Sequence, residues 1–207
     1  MEKKKTSFIQ GAAVLGAAGI LVKIIGAAFR IPLANAIGLI GTSYYDTAYP
    51  YYSWLLVIST SGLPTAISKM VSERVTLGDY RGAHRVFTTA LQILLGIGVI
   101  TALLMFFGAD YLAKLPLLPE VAYSFRALAP ALFFVALMCA YRGYLQGMQQ
   151  MAPTALSQVV EQVGKLVIGL GLAILLLPKG PEYAAMGALI GVTASELLAL
   201  FYIILAY

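Results

Sequence analysis

Charge is scarce in this chain. Asp, Glu, Lys and Arg make up 11% of its 207 residues, against about 25% in an ordinary soluble domain. So few charges cannot cover a water-facing surface. Cysteine is almost absent: Cys139 stands alone, so no internal disulfide can form. His84 is the single histidine, which excludes the common His/Cys metal clusters. No glycine-rich phosphate loop occurs, nor a close Ser, His and Asp set, nor paired carboxylates placed for hydrolysis. No cofactor, no metal and no enzymatic bond chemistry are therefore expected. The formal net charge is +5, but the positive residues are scattered or sit at segment ends without interleaved aromatics. Nucleic acid is not an expected partner.

What the chain has in abundance is apolar sequence, 60% of all residues. It falls into six runs, at about 8–33, 46–71, 86–109, 121–145, 151–177 and 183–207. At about 1.5 Å rise per residue, runs of this length match a hydrocarbon core roughly 30 Å thick. The expected fold is all-α, with six transmembrane helices. The first run follows a short basic segment holding Lys3, Lys4 and Lys5. It exceeds the roughly 7–15 residues of a signal-peptide core and contains Lys23 and Arg30, so it reads as a retained helix.

Between the runs, residues 35–45 read as a turn region and 72–85 as a short amphipathic connector. Residues 110–120 and 178–182 read as loops. Pro50, Gly62, Pro64 and Pro130 are the candidates for hinges or broken helices. In STSGLP (residues 59–64) the hydroxyls of Ser59, Thr60 and Ser61 can serve carbonyls that the break sets free. Orientation follows from basic residues in short loops. Lys3, Lys4, Lys5, Lys69, Arg74, Arg81, Arg85 and Arg142 fall at one end; Lys114 and Lys179 fall at the other, with Arg30 and Arg126 marginal. This puts the N-terminus in the cytoplasm. The chain stops inside an apolar run, which suggests a fragment of a longer protein.

Charges within the apolar runs are the informative residues, because each costs several kcal/mol, about 2.5–3.5 on lenient scales, at the bilayer centre. Glu161 and Lys165 are spaced to pair along one helix face. They read either as a packing device or as the charged lining of a substrate path. Glu196, near the middle of the last run, could pair with Lys23 or Lys165, or hold a cation. Lys23 and Arg30 are seven residues apart and share a helix face. Arg30 could snorkel to the interface, contact an anionic ligand or pair within the chain. A positive face beside an aqueous cleft would attract a lipid-linked phosphate or pyrophosphate. Gln158 and Gln162 are candidates to line the same path. Asp46, Tyr49 and Tyr52 read as interfacial, and His84 as a solvated surface residue.

Five segments together resemble a known family. They are VKIIGAAFRIPLANAIG (residues 22–38), GLPTAISKMVSE (62–73), GDYRGAHRVF (78–87), RALAPALFF (126–134) and YRGYLQGMQQMAPTALSQVVEQ (141–162). They are similar to the N-terminal half of the stage V sporulation protein B and polysaccharide biosynthesis group. That group lies in the multidrug/oligosaccharidyl-lipid/polysaccharide exporter superfamily, with the lipid II flippases of peptidoglycan synthesis as relatives. The resemblance implies a bacterial cell membrane and two helical lobes around a V-shaped cavity, of which this chain would be the N-terminal one. It implies flipping of a lipid-linked saccharide by alternating access, in cell-wall or spore-cortex assembly. Lys23 and Arg30 would then help form a cationic cavity. The second-helix arginine of lipid II flippases has no counterpart, since nothing basic precedes Lys69 in STSGLPTAISK. Membrane lipid and a lipid-linked saccharide are the implied partners, with a missing C-terminal lobe or a second copy completing the cavity. Cation-coupled multidrug-type antiport, resting on Glu196 or Glu161, and a non-transport envelope scaffold are the alternatives.

Overall fold

The computed structural model describes residues 2–207, with side chains at residue 11 and from residue 13 onward. The described residues form helices and turns without strands. They run α1 (Glu2–Thr60), α2 (Leu63–Thr76), α3 (Tyr80–Phe107), α4 (Ala109–Lys114), α5 (Val121–Gly147), α6 (Met151–Gly164), a π-helical turn (Lys165–Gly169), α7 (Leu170–Leu176), a 3₁₀ turn (Leu177–Lys179) and α8 (Pro181–Ala206).

The first helix is in fact a hairpin. Gly38 alone leaves helical geometry, at φ 68° and ψ −175°, a conformation that costs a residue with a Cβ far more than glycine. The proof of the fold-back is a contact. Arg30 and Asp46 lie 16 residues apart, about 24 Å along a straight helix, yet their side chains meet at 2.9 Å. Phe29 and Tyr45, also 16 apart, have ring centroids 6.3 Å from each other. The turn expected over 35–45 thus narrows to one residue, and helix continues on both sides. Among the described residues five stretches are long and apolar enough to cross a membrane, the first being Ala13–Thr76. Because that first one doubles back, the described residues form six limbs of membrane length.

Other boundaries also differ from expectation. The amphipathic connector over 72–85 is mostly helix, and only Leu77–Asp79 interrupts it. Asp79 caps α3 by accepting the Gly82 N–H at 2.8 Å, which lets the helix start earlier than its apolar run. The loop over 110–120 contains α4. The break at STSGLP falls between Thr60 and Leu63, with Gly62 at φ 73° and Pro64 in the first turn of α2. Ser59 and Thr60 donate to the carbonyls of Leu55 and Leu56 at 2.6 and 2.7 Å. Pro50 and Pro130, by contrast, break nothing. Both rings stand on exposed faces. The turn before Pro130 is also served from α8, whose Thr193 hydroxyl donates to the Ala127 carbonyl at 2.6 Å.

The centre of the bundle is α5. Its apolar window is 61% buried, against 17% for α3 and 22% for Met151–Lys179. It packs on α3, α8, α2 and α1. The hydrophobic effect does not drive helices together in lipid, so close approach of small residues must do so. The sequence meets that need: Ala122, Ala129, Ala136 and Ala140 are buried on α5, and Ala184, Ala188 and Ala199 on α8. At one end of the bundle Phe87, Tyr141, Tyr144 and Tyr207 pack ring on ring, tying α3, α5 and α8 together. His84 joins them, exposed but with Nδ1 2.9 Å from the Tyr207 hydroxyl, so it is not simply solvated.

Candidate functional site

The α1 hairpin and the α6–π turn region enclose an open cleft of about 380 Å³. Gly26, Phe29 and Arg30 line it from the first limb, Tyr45, Asp46, Tyr49 and Pro50 from the second, and Gln162 and Lys165 from across the bundle. Arg30 and Asp46 are each eight residues from Gly38, about 12 Å along their limbs. The cleft therefore lies about 10–18 Å from the hairpin turn, near the middle of a roughly 30 Å hydrocarbon core. Its lining carries Arg30 and Lys165 against Asp46, one net positive charge.

Each expected residue has a definite place. Arg30 pairs with Asp46 in an exposed bridge, the side chains 69% and 41% accessible. Intramolecular pairing, one of three readings of Arg30, is the geometry observed. Such a bridge holds weakly and leaves most of the guanidinium open. Lys23 is exposed one turn from Gly26, on the face that carries Gly26 and Arg30. Asp46 and Tyr49, read as interfacial, line the cleft, and Tyr52 is buried. Tyr45 stacks on Tyr49 at 5.4 Å, and Tyr49 touches Tyr52 at 5.7 Å. Gln158 is half-buried and is not among the cleft residues.

The expected Glu161–Lys165 pair is not made. Glu161 bonds instead to Arg142 of α5 at 3.1 Å, with both side chains mostly buried, 16% and 14% accessible. Arg142 also donates from Nε to the Ser157 hydroxyl at 3.0 Å, and Gln162 donates to Glu161 at 3.1 Å. Lys165 opens the π-helical turn. That wider turn sends its ammonium to Tyr49, 3.5 Å from the hydroxyl and 5.6 Å from the ring centre, close enough for cation–π attraction. Glu196 is 3% exposed, its Oε2 lacks a hydrogen-bond partner among the described residues, and Glu161, Lys165 and Arg142 surround it. The network joins α1, α5, α6 and α8 with two positive and two negative side chains (Arg142, Lys165, Glu161 and Glu196), so its formal charges cancel.

Arg142 is the functional residue that sequence reasoning misses, since the basic-residue count takes it for a loop charge. The signal was present in the hairpin register. The turn Met148–Gln150 joins α5 to α6, so residues on either side of it meet in antiparallel order. Arg142 then falls opposite the face carrying Ser157 and Glu161.

Long apolar helices, packing through small residues and polar groups drawn into one cleft define a multi-pass, all-α membrane protein. The fold matches half of a known one. A MATE protein crystallised with Br-NRF superposes at a TM-score of 0.80 and 18% identity, covering 96% of this chain and 46% of that one. The chain belongs to the polysaccharide biosynthesis protein family, which matches residues 8–207. It is 33% identical over 204 residues to stage V sporulation protein B of Bacillus subtilis (strain 168), covering 98% of this chain and 39% of that protein. It is 30% identical over 202 residues to lipid II flippase MurJ of the same organism, covering 90% of this chain and 37% of the relative. The chain thus spans well under half the length of the curated relatives it matches.

Proposed function

We propose that the chain forms one lobe, with six membrane crossings, of a transporter that flips lipid-linked saccharides by alternating access. The cleft carries this reading. It sets Arg30 and Lys165 on facing walls of an open polar groove in an otherwise apolar bundle, with Lys23 further along the same face. A polyprenyl pyrophosphate would place its anionic head there while its tail stays in lipid. Guanidinium forks match phosphate oxygens, and the Asp46 bridge can yield because it is exposed. One lobe supplies one wall; a C-terminal lobe or a second copy would supply the other. The lipid II flippase relative and the polysaccharide biosynthesis family support this substrate class.

The test is flipping of a defined lipid-linked saccharide by the full-length protein in proteoliposomes. Changing both Arg30 and Lys165 to glutamine removes two charge-assisted contacts of about 1.5–3 kcal/mol each, so transport at limiting substrate should fall at least tenfold. Wild-type rates in that variant would refute the reading. One observation favours a second reading, cation-coupled antiport: the buried, unpartnered Oε2 of Glu196 beside Glu161. A bound cation would relieve that cost. Under this reading Glu196→Gln abolishes the cation dependence of transport and the Arg30 variant does not.

The same reading keeps the N-terminus in the cytoplasm. Lys3, Lys4 and Lys5 lie outside the described side chains, and Arg142 no longer counts because it pairs within the bundle. Lys69, Arg74, Arg81 and Arg85 still flank the α2–α3 turn, against Lys114 and Lys179 at other turns. In intact cells, a membrane-impermeant maleimide should label Leu117→Cys and spare Gly78→Cys. The reverse pattern would overturn the orientation.

A further inference from the structure

A second cavity, of about 420 Å³, lies between α2 and the first half of α3 and shares no residue with the cleft. Its walls are apolar: Leu63, Ala66 and Met70 from α2, Val86, Ala90 and Ile93 from α3. Met70 and Ile93 are 52% and 57% exposed, so the groove is open along its length. Its mouth is different in kind. Arg74 and Arg85 stand there beside Asp79, next to the short turn Leu77–Asp79 that ends both helices.

We propose that this groove binds an anionic phospholipid, phosphate at the mouth and acyl chain along the walls. The charges commit it to that occupant. Asp79 is already engaged, its Oδ1 with the Gly82 N–H at 2.8 Å and its Oδ2 with Arg74 at a long 3.4 Å. An arginine carries five donors, so Arg74 keeps most of its own free. Among the described residues the Arg85 guanidinium joins no salt bridge. Two guanidiniums against one engaged carboxylate leave the mouth positive, and exposed Lys69 and Arg81 outweigh Glu73 around it. Arginine forks suit phosphate oxygens, and basic residues beside a membrane surface favour anionic over zwitterionic lipid. Depth fits as well. Ile93 lies eight residues beyond Arg85, about 12 Å into the bundle, where only an acyl chain belongs. A helix of another polypeptide would have to bury both arginines against its own apolar surface.

The experiment is native mass spectrometry of the full-length protein in detergent, titrated with phosphatidylglycerol or phosphatidylcholine. Phosphatidylglycerol should be retained preferentially. Changing Arg74 and Arg85 together to glutamine should weaken it roughly thirtyfold, at about a 1 kcal/mol contribution per basic residue. Ala66→Phe fills the apolar wall without touching a charge, and should lower retention of both lipids. Phosphatidylglycerol carrying a photoactivatable acyl chain should crosslink to the segment 63–94. Equal retention of the two lipids, unchanged binding in both variants while their melting temperatures match wild type, or crosslinks confined elsewhere would each overturn the proposal. Transport plays no part in these readouts, so the outcome is independent of the flippase reading.

Discussion

Replacing Arg142 with leucine should destabilise the folded protein by about 3–5 kcal/mol, the typical cost of removing one partner of a buried ion pair. The pair qualifies because Arg142 and Glu161 are 14% and 16% accessible and meet at 3.1 Å. The loss has three parts. Glu161 keeps only the Gln162 amide. Ser157 loses the Nε donor that reached it from α5, although its hydroxyl still donates to the Thr154 carbonyl at 2.7 Å. Glu161 and Glu196, two carboxylates in one buried cluster, are left with Lys165 alone.

The double variant separates this account from simple damage to packing. Arg142→Leu with Glu161→Leu removes the pair together, and a buried pair replaced by apolar residues of similar size is often neutral or stabilising. Most of the stability should therefore return, giving a coupling energy of at least about 1 kcal/mol in the cycle. Thermal or denaturant unfolding of the full-length protein in micelles measures all four corners. Additive losses, or a single-variant cost under about 1 kcal/mol, would mean that the two residues act separately. A transport assay on the double variant then asks a different question. If flipping persists with the pair gone, the network holds α5 to α6, and the substrate path runs through the cleft residues Arg30 and Lys165.

The helical plan was legible in the chain because it rests on local signals: run length, hydropathy and the scarcity of charge. What was not legible rests on geometry between distant residues. Around Gly38 the sequence LANAIGLIGTS is compatible with helix nearly throughout, so nothing local says that the chain reverses at one residue rather than over eleven. Residues 72–85 are polar, and polarity reads as a connector. A helix that leaves the bilayer can stay helical with polar residues if its next start is capped, as Asp79 caps α3. For the site, the charged residues were visible as anomalies in apolar runs, but their partners were not. The i,i+4 rule gave Glu161 to Lys165. The structure gives Glu161 to Arg142, because a neighbouring helix offers a guanidinium that reaches both Glu161 and Ser157 and the π turn carries Lys165 away. Local spacing proposes pairs, and packing decides among them.

That π turn has its own consequence, and Gly191→Leu should expose it, destabilising the protein by about 3 kcal/mol or more, the upper range for overpacking. Three close approaches join α8 to the helix opposite. A Cβ on Gly164 would lie 2.8 Å from the Ser195 Cβ, one on Gly187 would lie 2.7 Å from the Leu172 carbonyl oxygen, and one on Gly191 would run into the Gly169 backbone, with the Ile168 carbonyl carbon 2.9 Å away. On α8 the contact positions 187, 191 and 195 step by four. On the facing side 164, 169 and 172 step by five and then three, and the step of five spans Lys165–Gly169. Both sides advance by eight residues overall, and the wide turn sets which backbone meets Gly191: it puts Gly169 there while turning Lys165 toward Tyr49. At Gly191 the obstacle is backbone on both sides, so no rotamer change can relieve a side chain there, and the helices must separate. Gly171→Leu is the matched control, since nothing lies within 4 Å of a Cβ at that position; its melting temperature should stay near wild type. Separation at Gly191 should also pull Lys165 away from Tyr49, so under the proposed flippase function the Gly191 variant loses transport even at temperatures where it stays folded. Equal melting temperatures for the Gly191 and Gly171 variants would show that the close approach does not set the register of the π turn.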